Sequence, residues 1–219
     1  AVVHAFDDSV AVLQQTTPGN FVLQQSIQIG KTANFPFNAP RSVLVVDFNA
    51  DAWPDLYVLN SGNESFSAPP SIQALINQGD GTLIPWKLSD VDSGATSTFP
   101  AHFALGHLTG DGHPDLAVAD QRADEILILA GQGAGSFAFD QALATPADGE
   151  GPEFVLPRDL NADGRTDILA ASRDSIEIFL QTASGVFSSP VPISLPPGVE
   201  PSALTASDFN ADGELDLAL

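Results

Sequence analysis

Polar and apolar residues change places over short distances in this chain. Apolar runs of roughly four to eight residues are bounded by Gly, Pro, Asn and Asp, and several, such as SIEIFL and DSVAVLQ, alternate residue by residue. No segment carries a sustained stripe at the helical period of 3.6 residues. Alternation with period two turns one face of an extended strand to a core and the other to water. The pattern therefore predicts strands throughout and an all-β chain.

The pattern also recurs. DFNADAWPDLYVLN begins at Asp47, HLTGDGHPDLAVAD at His107, DLNADGRTDILAAS at Asp159 and DFNADGELDLAL at Asp208, with spacings of 60, 52 and 49 residues. Seven residues ahead of each start stands a proline (Pro40, Pro100, Pro152 and Pro201), followed by a short apolar run such as RSVLVV or AHFALG. Glycine turns around Gly19, Gly81, Gly135 and Gly185 precede further strand-like runs. Each repeat reads strand, acidic loop, strand, strand, glycine turn, strand. Short antiparallel strands in fours, at a period near 50, predict a β-propeller whose four-stranded blades pack their faces against their neighbours. A β-sandwich is the other all-β solution, but nothing in it requires proline and acidic loop to recur in register. Residues 1–219 read as one such domain with about four blade repeats and acidic loops at 47–55, 107–115, 159–167 and 208–216, each joining a repeat's first strand to its second.

The loops hold the candidate chemistry. In the third, side-chain oxygens fall at Asp159, Asn161, Asp163 and Asp167, positions 1, 3, 5 and 9, with Gly164 at position 6 and the Arg165 carbonyl at position 7. That spacing is close to the first half of a calcium loop. Two carboxylates ~4 Å apart repel by roughly 4 kcal/mol at an effective dielectric of 20, so three converging on one point would splay a bare turn. A divalent cation reverses that sign. Calcium suits the site because it accepts about six to eight hard oxygens in loose geometry, whereas magnesium demands a near-ideal octahedron. The plainer reading is a solvated Asp-Gly turn, although turn chemistry does not require an acid at position 9.

The four loops are not equal. The fourth is complete, with Asp208, Asn210, Asp212 and Asp216 and the Glu214 carbonyl. The first keeps Asp47, Asn49, Asp51 and Asp55 and the Trp53 carbonyl, but has Ala52 where the turn favours glycine. A left-handed Ala52 would cost about 1 to 2 kcal/mol, weakening the site without abolishing it. The second has His107 and Thr109 in place of the first two oxygen ligands and keeps Asp111 and Asp115.

Charge narrows the partners. The chain has 28 acidic and 7 basic residues, a net charge of -21, which argues against nucleic acid and anionic membrane surfaces and for cations. With 43% hydrophobic residues it can bury a sizeable core. It has no cysteine, which excludes disulfides, thiol catalysis and thiolate metal sites. No apolar run approaches the ~20 residues of a membrane-spanning helix, and AVVHAFDDSV lacks the basic start of a signal peptide. The absence of methionine is expected of a processed or excised product.

These residues resemble the FG-GAP or VCBS repeat family, the calcium-loop propellers that include the integrin α-subunit head, certain fungal lectins and many secreted bacterial proteins. The likeness covers essentially the whole chain through the recurring D-x-N-x-D-G-x-x-D-[LI] core. It implies calcium in the loop between a blade's first two strands, on one rim of a disc, and a secreted or cell-surface setting. The second repeat departs from the family's first ligand. No repeat carries a Phe-Gly and Gly-Ala-Pro pair, which argues against an integrin-type partner surface.

Family propellers commonly have seven blades. Laying AVVHAFDDSVAVLQQTTPGNF over DILAASRDSIEIFLQTASGVF sets Ala1 on Asp167, so the chain opens at a blade's second strand and stops just inside another at Leu219. It is either a four-blade ring closed by its two ends or part of a larger propeller of seven or eight blades, completed by another chain or copy. Unpaired sheet edges favour closure, but the two ends overlap by about three residues rather than abutting and Ala1 stands in place of the ligand aspartate, so the preferred reading is an excised portion or a half-ring that pairs with another chain.

No catalytic constellation is evident. Of His4, His102, His107 and His113, the last three surround the second loop, where they would serve as a zinc site or base, or more simply as a strand residue, a degenerate loop position and an exposed turn residue. Trp53, Trp86 and Tyr57 are candidates for stacking on a sugar, with core packing as the alternative. The expected function is a calcium-binding, non-catalytic extracellular recognition or adhesion module with a protein or glycan ligand at a rim. The alternatives are a lectin and a propeller domain of a polysaccharide-active enzyme.

Overall fold

A computed structural model describes residues 2–4, 8–29, 39–62, 69–91, 98–146 and 151–219; side-chain positions are described from residue 8 onward. Every regular element among them is a β-strand. Strands β1 (Val2–His4), β2 (Ser9–Thr17) and β3 (Asn20–Gln28) form a three-stranded antiparallel sheet. Three four-stranded sheets follow. The first is β4 (Pro40–Val46), β5 (Asp55–Asn60), β6 (Ser71–Asn77) and β7 (Leu83–Asp90); the second is β8 (Pro100–Gly106), β9 (Asp115–Asp120), β10 (Glu125–Gly131) and β11 (Phe137–Ala144). The third joins β12 (Phe154–Arg158), β13 (Asp167–Ala171) and β14 (Ser175–Phe179) to β17 (Val191–Ser194), with β15 (Gln181–Ala183) and β16 (Val186–Phe187) as a separate hairpin between them. The pair β18 (Thr205–Ser207) and β19 (Asp216–Ala218) comes last.

Strands adjacent in sequence are neighbours in each meander, as the repeat pattern predicts. Pro40 and Pro100 open β4 and β8, where a missing N–H costs no ladder bond. The third repeat departs from the simple pattern: its outer strand is broken into β16 and β17. Pro190 lies in that break and Pro192 within the edge strand β17, opposite Glu177, where a missing N–H is tolerated.

The chain divides into two compact units, residues 1–94 with 132–138, and residues 95–131 with 139–219. In the first, Val10, Ile27, Ile29, Leu56, Val58, Leu75 and Leu83 form the core. Gln25 of β3 locks that packing, its amide donating to the Leu83 carbonyl at 2.8 Å and accepting the Leu83 N–H at 3.0 Å. Tyr57, stacked on Phe48 and meeting Phe137 edge-on, is buried there.

In the second unit, the two faces of β13 serve two cores. Ile168 and Ala170 join Leu108, Ala117, Ile128, Val155 and Phe179, while Leu169 and Ala171 pack with Ile176, Leu156, Leu204 and Leu217. A strand covered on both faces reads as a continuous apolar run, and β5, β9 and β13 are buried along their whole length. Each fully buried Leu, Ile or Val contributes about 1.5 to 3 kcal/mol, so these second strands anchor the fold. Each begins with the position-9 aspartate of an acidic loop.

A second recurring bond lies at the far end of these sheets. The carbonyls of Asp8, Asp124 and Asp174 accept the N–H groups of Ile29, Thr145 and Leu195 at 2.8, 2.9 and 2.7 Å, tying each outer strand back to its meander.

Candidate functional site

All four acidic loops join the first and second strands of a repeat. The first, third and fourth share one set of hydrogen bonds. The position-5 N–H donates to Oδ1 of the first aspartate at 3.2 Å, in Asp51 to Asp47, Asp163 to Asp159 and Asp212 to Asp208. It also reaches the side-chain oxygen of Asn49, Asn161 or Asn210, at 3.0, 3.0 and 2.8 Å. The position-6 N–H donates to Oδ2 of the first aspartate at 2.9 Å in all three. The N–H groups of Trp53, Arg165 and Glu214 donate to Oδ1 of Asp51, Asp163 and Asp212.

These bonds answer the repulsion argument. An amide N–H aimed at a carboxylate sets positive charge against its oxygens, so three or four such bonds per loop counter the repulsion between neighbouring acids. The same bonds hold the Asp208 carboxyl below the usual range, the Gly213 N–H foremost, and that of Asp163 likewise, the Arg165 N–H foremost.

Backbone conformation fits the sequence at position 6 and adds a feature at position 4. Ala52 is left-handed, with φ 71°, like its counterparts Gly112, Gly164 and Gly213. Position 4 is left-handed too, in Ala50, Ala162 and Ala211 with φ 58°, 58° and 64°, and in Gly110. Sequence reasoning missed this position; its one signal is that only Ala or Gly occurs there.

The position-9 aspartates behave differently from the sequence expectation of three acids gathered on one point. Asp55, Asp115 and Asp167 are fully buried. One oxygen of each accepts an N–H from the end of the third strand or just past it: Asn77 at 2.8 Å, Gly131 at 2.9 Å, Gln181 at 2.8 Å. The other clasps the loop's own second residue, Phe48, Leu108 or Leu160, and Asp216 does the same for Phe209. Burial pushes the Asp55 carboxyl up, against the N–H bonds of Asn77 and Phe48. Among the described residues, no group of three or more His, Cys, Asp or Glu stands together closely enough to hold a metal ion. Position 9 lies under the loop because it must satisfy two buried backbone donors. The oxygens on the loop's outer side come from positions 1, 3 and 5, with the carbonyl of position 7.

Loops three and two each carry a further feature. In the third, Arg165 Nη2 pairs with Asp163 Oδ2 at 2.9 Å. In the second, His107 and Thr109 remove the first two carboxylate-type bonds, and only the His113 N–H to Asp111 contact, 2.8 Å, survives from the shared set.

The other candidates separate. His102 lies in β8 against Phe154, and burial pushes its imidazole down. His107 and His113 lie in the second loop, so the three do not form one constellation. The side chain of His4 lies outside the described residues, as does Ala1. Trp53 and Trp86 are each 50% exposed, whereas Tyr57 is a core residue.

A family model for the FG-GAP-like repeat matches residues 47–118 and 159–219. The chain belongs to the FG-GAP-like repeat family. Both matched segments begin at the first aspartate of an acidic loop, Asp47 and Asp159. Among solved structures, the crystal structure of BBS1N in complex with ARL6DN, soaked with lead, matches at TM-score 0.57 and 16% identity, over 90% of this chain and 52% of that one. The chain thus shares an all-β, propeller-like fold with that structure and spans about half its length. The Photorhabdus luminescens Tc holotoxin pore matches at TM-score 0.45 and 16% identity, over 95% of this chain and 12% of that one. No curated protein matches this FG-GAP chain.

Proposed function

We propose that the chain is a calcium-stiffened FG-GAP propeller module that recognises a ligand outside the cell and carries no catalysis of its own. One observation carries this reading: the same hard-oxygen set, on the same left-handed backbone, recurs in three loops. Asp47, Asn49 and Asp51 with the Trp53 carbonyl would hold one ion. Asp159, Asn161 and Asp163 with the Arg165 carbonyl would hold a second, and Asp208, Asn210 and Asp212 with the Glu214 carbonyl a third. Oδ2 of Asp55, Asp167 and Asp216 accepts one N–H each, which leaves a lone pair for the ion. An oxygen-only, carboxylate-rich set suits calcium.

Bound calcium supplies positive charge that turns the loop's repulsion into attraction. The chain does the rest: each loop joins a repeat's first strand to its second, fully buried in β5 and β13, so tightening it pins two strands at their start. Stabilisation grows as RT ln(1 + [L]/Kd), about 2.7 kcal/mol per site at a hundredfold excess over Kd. Melting in millimolar calcium and again in EDTA tests the reading. A lowered melting temperature in EDTA, restored by calcium more than by magnesium, is expected; identical curves together with no heat of calcium binding would overturn it.

A glycan is the ligand that the exposed aromatics favour. Trp53 is at once a loop-one residue and half-exposed, and Trp86 is held by its Nε1–H to the Ala134 carbonyl at 3.0 Å with its ring half-exposed. A rigid ring beside polar loop groups suits stacking on a sugar face. Saturable glycan-array binding, lost in Trp53→Ala or Trp86→Ala, supports this reading, and a blank array points to a protein ligand.

A further inference from the structure

We propose that the second acidic loop, residues 107–115, takes no divalent cation, and that the imidazole of His107 there replaces the ion with a direct hydrogen bond. The proposal rests on the calcium reading of the other three loops.

In a calcium loop, the ion links the side chain of position 1 to the carbonyl of position 7. Here those two positions meet directly: His107 Nδ1 lies 3.2 Å from the His113 carbonyl. A carbonyl can only accept, so Nδ1 carries the hydrogen and the ring closes the loop as donor. The place between positions 1 and 7 is filled by the protein itself.

The remaining oxygens are spent in the same way. Asp115 Oδ2 accepts the Leu108 N–H at 2.7 Å, the Thr109 N–H at 2.8 Å and the Thr109 hydroxyl at 3.1 Å. A carboxylate oxygen has about two lone-pair sites, so three donors saturate it. Oδ2 of Asp55, Asp167 and Asp216 each accepts one N–H. Among positions 1, 3 and 5, Asp111 is the one carboxylate of loop two, against two acids and an asparagine in each of the other loops.

The second loop is also braced from outside. Gln181 donates through Nε2 to the Leu108 carbonyl at 2.7 Å, and Ser184 Oγ lies 3.4 Å from the Thr109 carbonyl. A Cβ built on Gly110 would stand 1.5 Å from Ser184 Oγ, which explains glycine at a position where the other loops carry alanine. The hairpin of β15 and β16 therefore holds this loop closed. The chain has three calcium-dependent loops and one permanent latch.

Calcium titration by calorimetry, combined with amide hydrogen exchange, tests this. The wild type is expected to bind at most three ions, Asp111→Ala to leave that number unchanged, and the Leu108 and Thr109 amides to exchange equally slowly in calcium and in EDTA. A fourth ion appearing in His107→Asp/Thr109→Asn, which restores the oxygen pattern, supports the assignment. Four ions in the wild type falling to three in Asp111→Ala would overturn it, as would exchange at Leu108 and Thr109 that accelerates in EDTA. Absence of any bound ion would instead defeat the reading of the other three loops, and the Leu108 and Thr109 exchange in EDTA then decides the latch alone: slow exchange supports it and fast exchange overturns it.

Discussion

Arg165 is bonded at once to the loop it belongs to and to a strand beside it: Nη2 lies 2.9 Å from Asp163 Oδ2, and Nε donates to the Gln181 carbonyl at 2.8 Å. The first and fourth loops carry Trp53 and Glu214 at the same place. Of the three proposed calcium loops, the one at residues 159–167 alone has a cation of its own beside a ligand carboxylate. An exposed pair of this kind is screened by solvent and holds the carboxylate only weakly. Arg165→Gln is therefore expected to tighten calcium at this loop by up to about fivefold. The measurement is an NMR titration followed at the Gly164 amide, and a weaker midpoint in the variant would refute the competition.

Ala52 carries a backbone cost that glycine would relieve. Its φ of 71° lies in the left-handed region, where a side chain costs about 1 to 2 kcal/mol, and glycine's greater freedom in the unfolded chain returns up to about 1. Ala52→Gly should raise the melting temperature by about 2 °C, in EDTA as well as in calcium. A lower melting temperature would show that the methyl group contributes more than its strain costs.

Position 9 and position 5 should fail in different ways. Asp167 satisfies the N–H groups of Leu160 and Gln181 in a buried place, and each donor left unmade costs about 1 to 3 kcal/mol. Asp167→Ala is expected to destabilise by about 2 to 6 kcal/mol whether calcium is present or chelated. Asp163→Ala, at the loop's surface, should remove this loop's share of the calcium-dependent stabilisation and leave melting in EDTA nearly unchanged. Paired melting curves for both variants make the comparison; equal behaviour in EDTA would erase the distinction.

Asp120 sets a pH dependence. Burial raises its carboxyl, against the N–H bonds of Phe99, Ala123 and Arg122, and its Oδ2 is buried with no hydrogen-bond partner. A carboxyl raised on folding binds its proton more tightly folded than unfolded. Its contribution to stability is thus fully present below the unfolded value and is lost as pH rises through the folded one. The first repeat has Asn60 at the matching place. Asp120→Asn keeps an acceptor for the Phe99 N–H and removes the charge, so melting at pH 7 should rise, on the order of 2 °C, and the fall in stability across the weakly acidic range should flatten. Thermal scans between pH 4 and 7 check this, and a variant less stable than wild type at pH 7 would contradict it.

Sequence alone determined the strands, their order and the place of every acidic loop, because these follow from local rules. Period-two alternation predicts a strand, a Gly or Asp cluster predicts a turn, and four recurrences of one pattern exclude coincidence. The strand content of β5, β9 and β13, the loops between first and second strands, and the strain at Ala52 were all legible in this way. Tertiary structure alone decided which oxygens are spent. Asp55, Asp115 and Asp167 read as loop ligands, and only the folded structure shows that each also gives one oxygen to the N–H of a residue 14 to 22 positions away. The braces from Gln181 and Ser184 to the second loop likewise depend on chain segments brought together by packing. Hydrogen bonding is a matter of distance and direction in space, and a linear pattern records neither for residues that meet only when sheets pack.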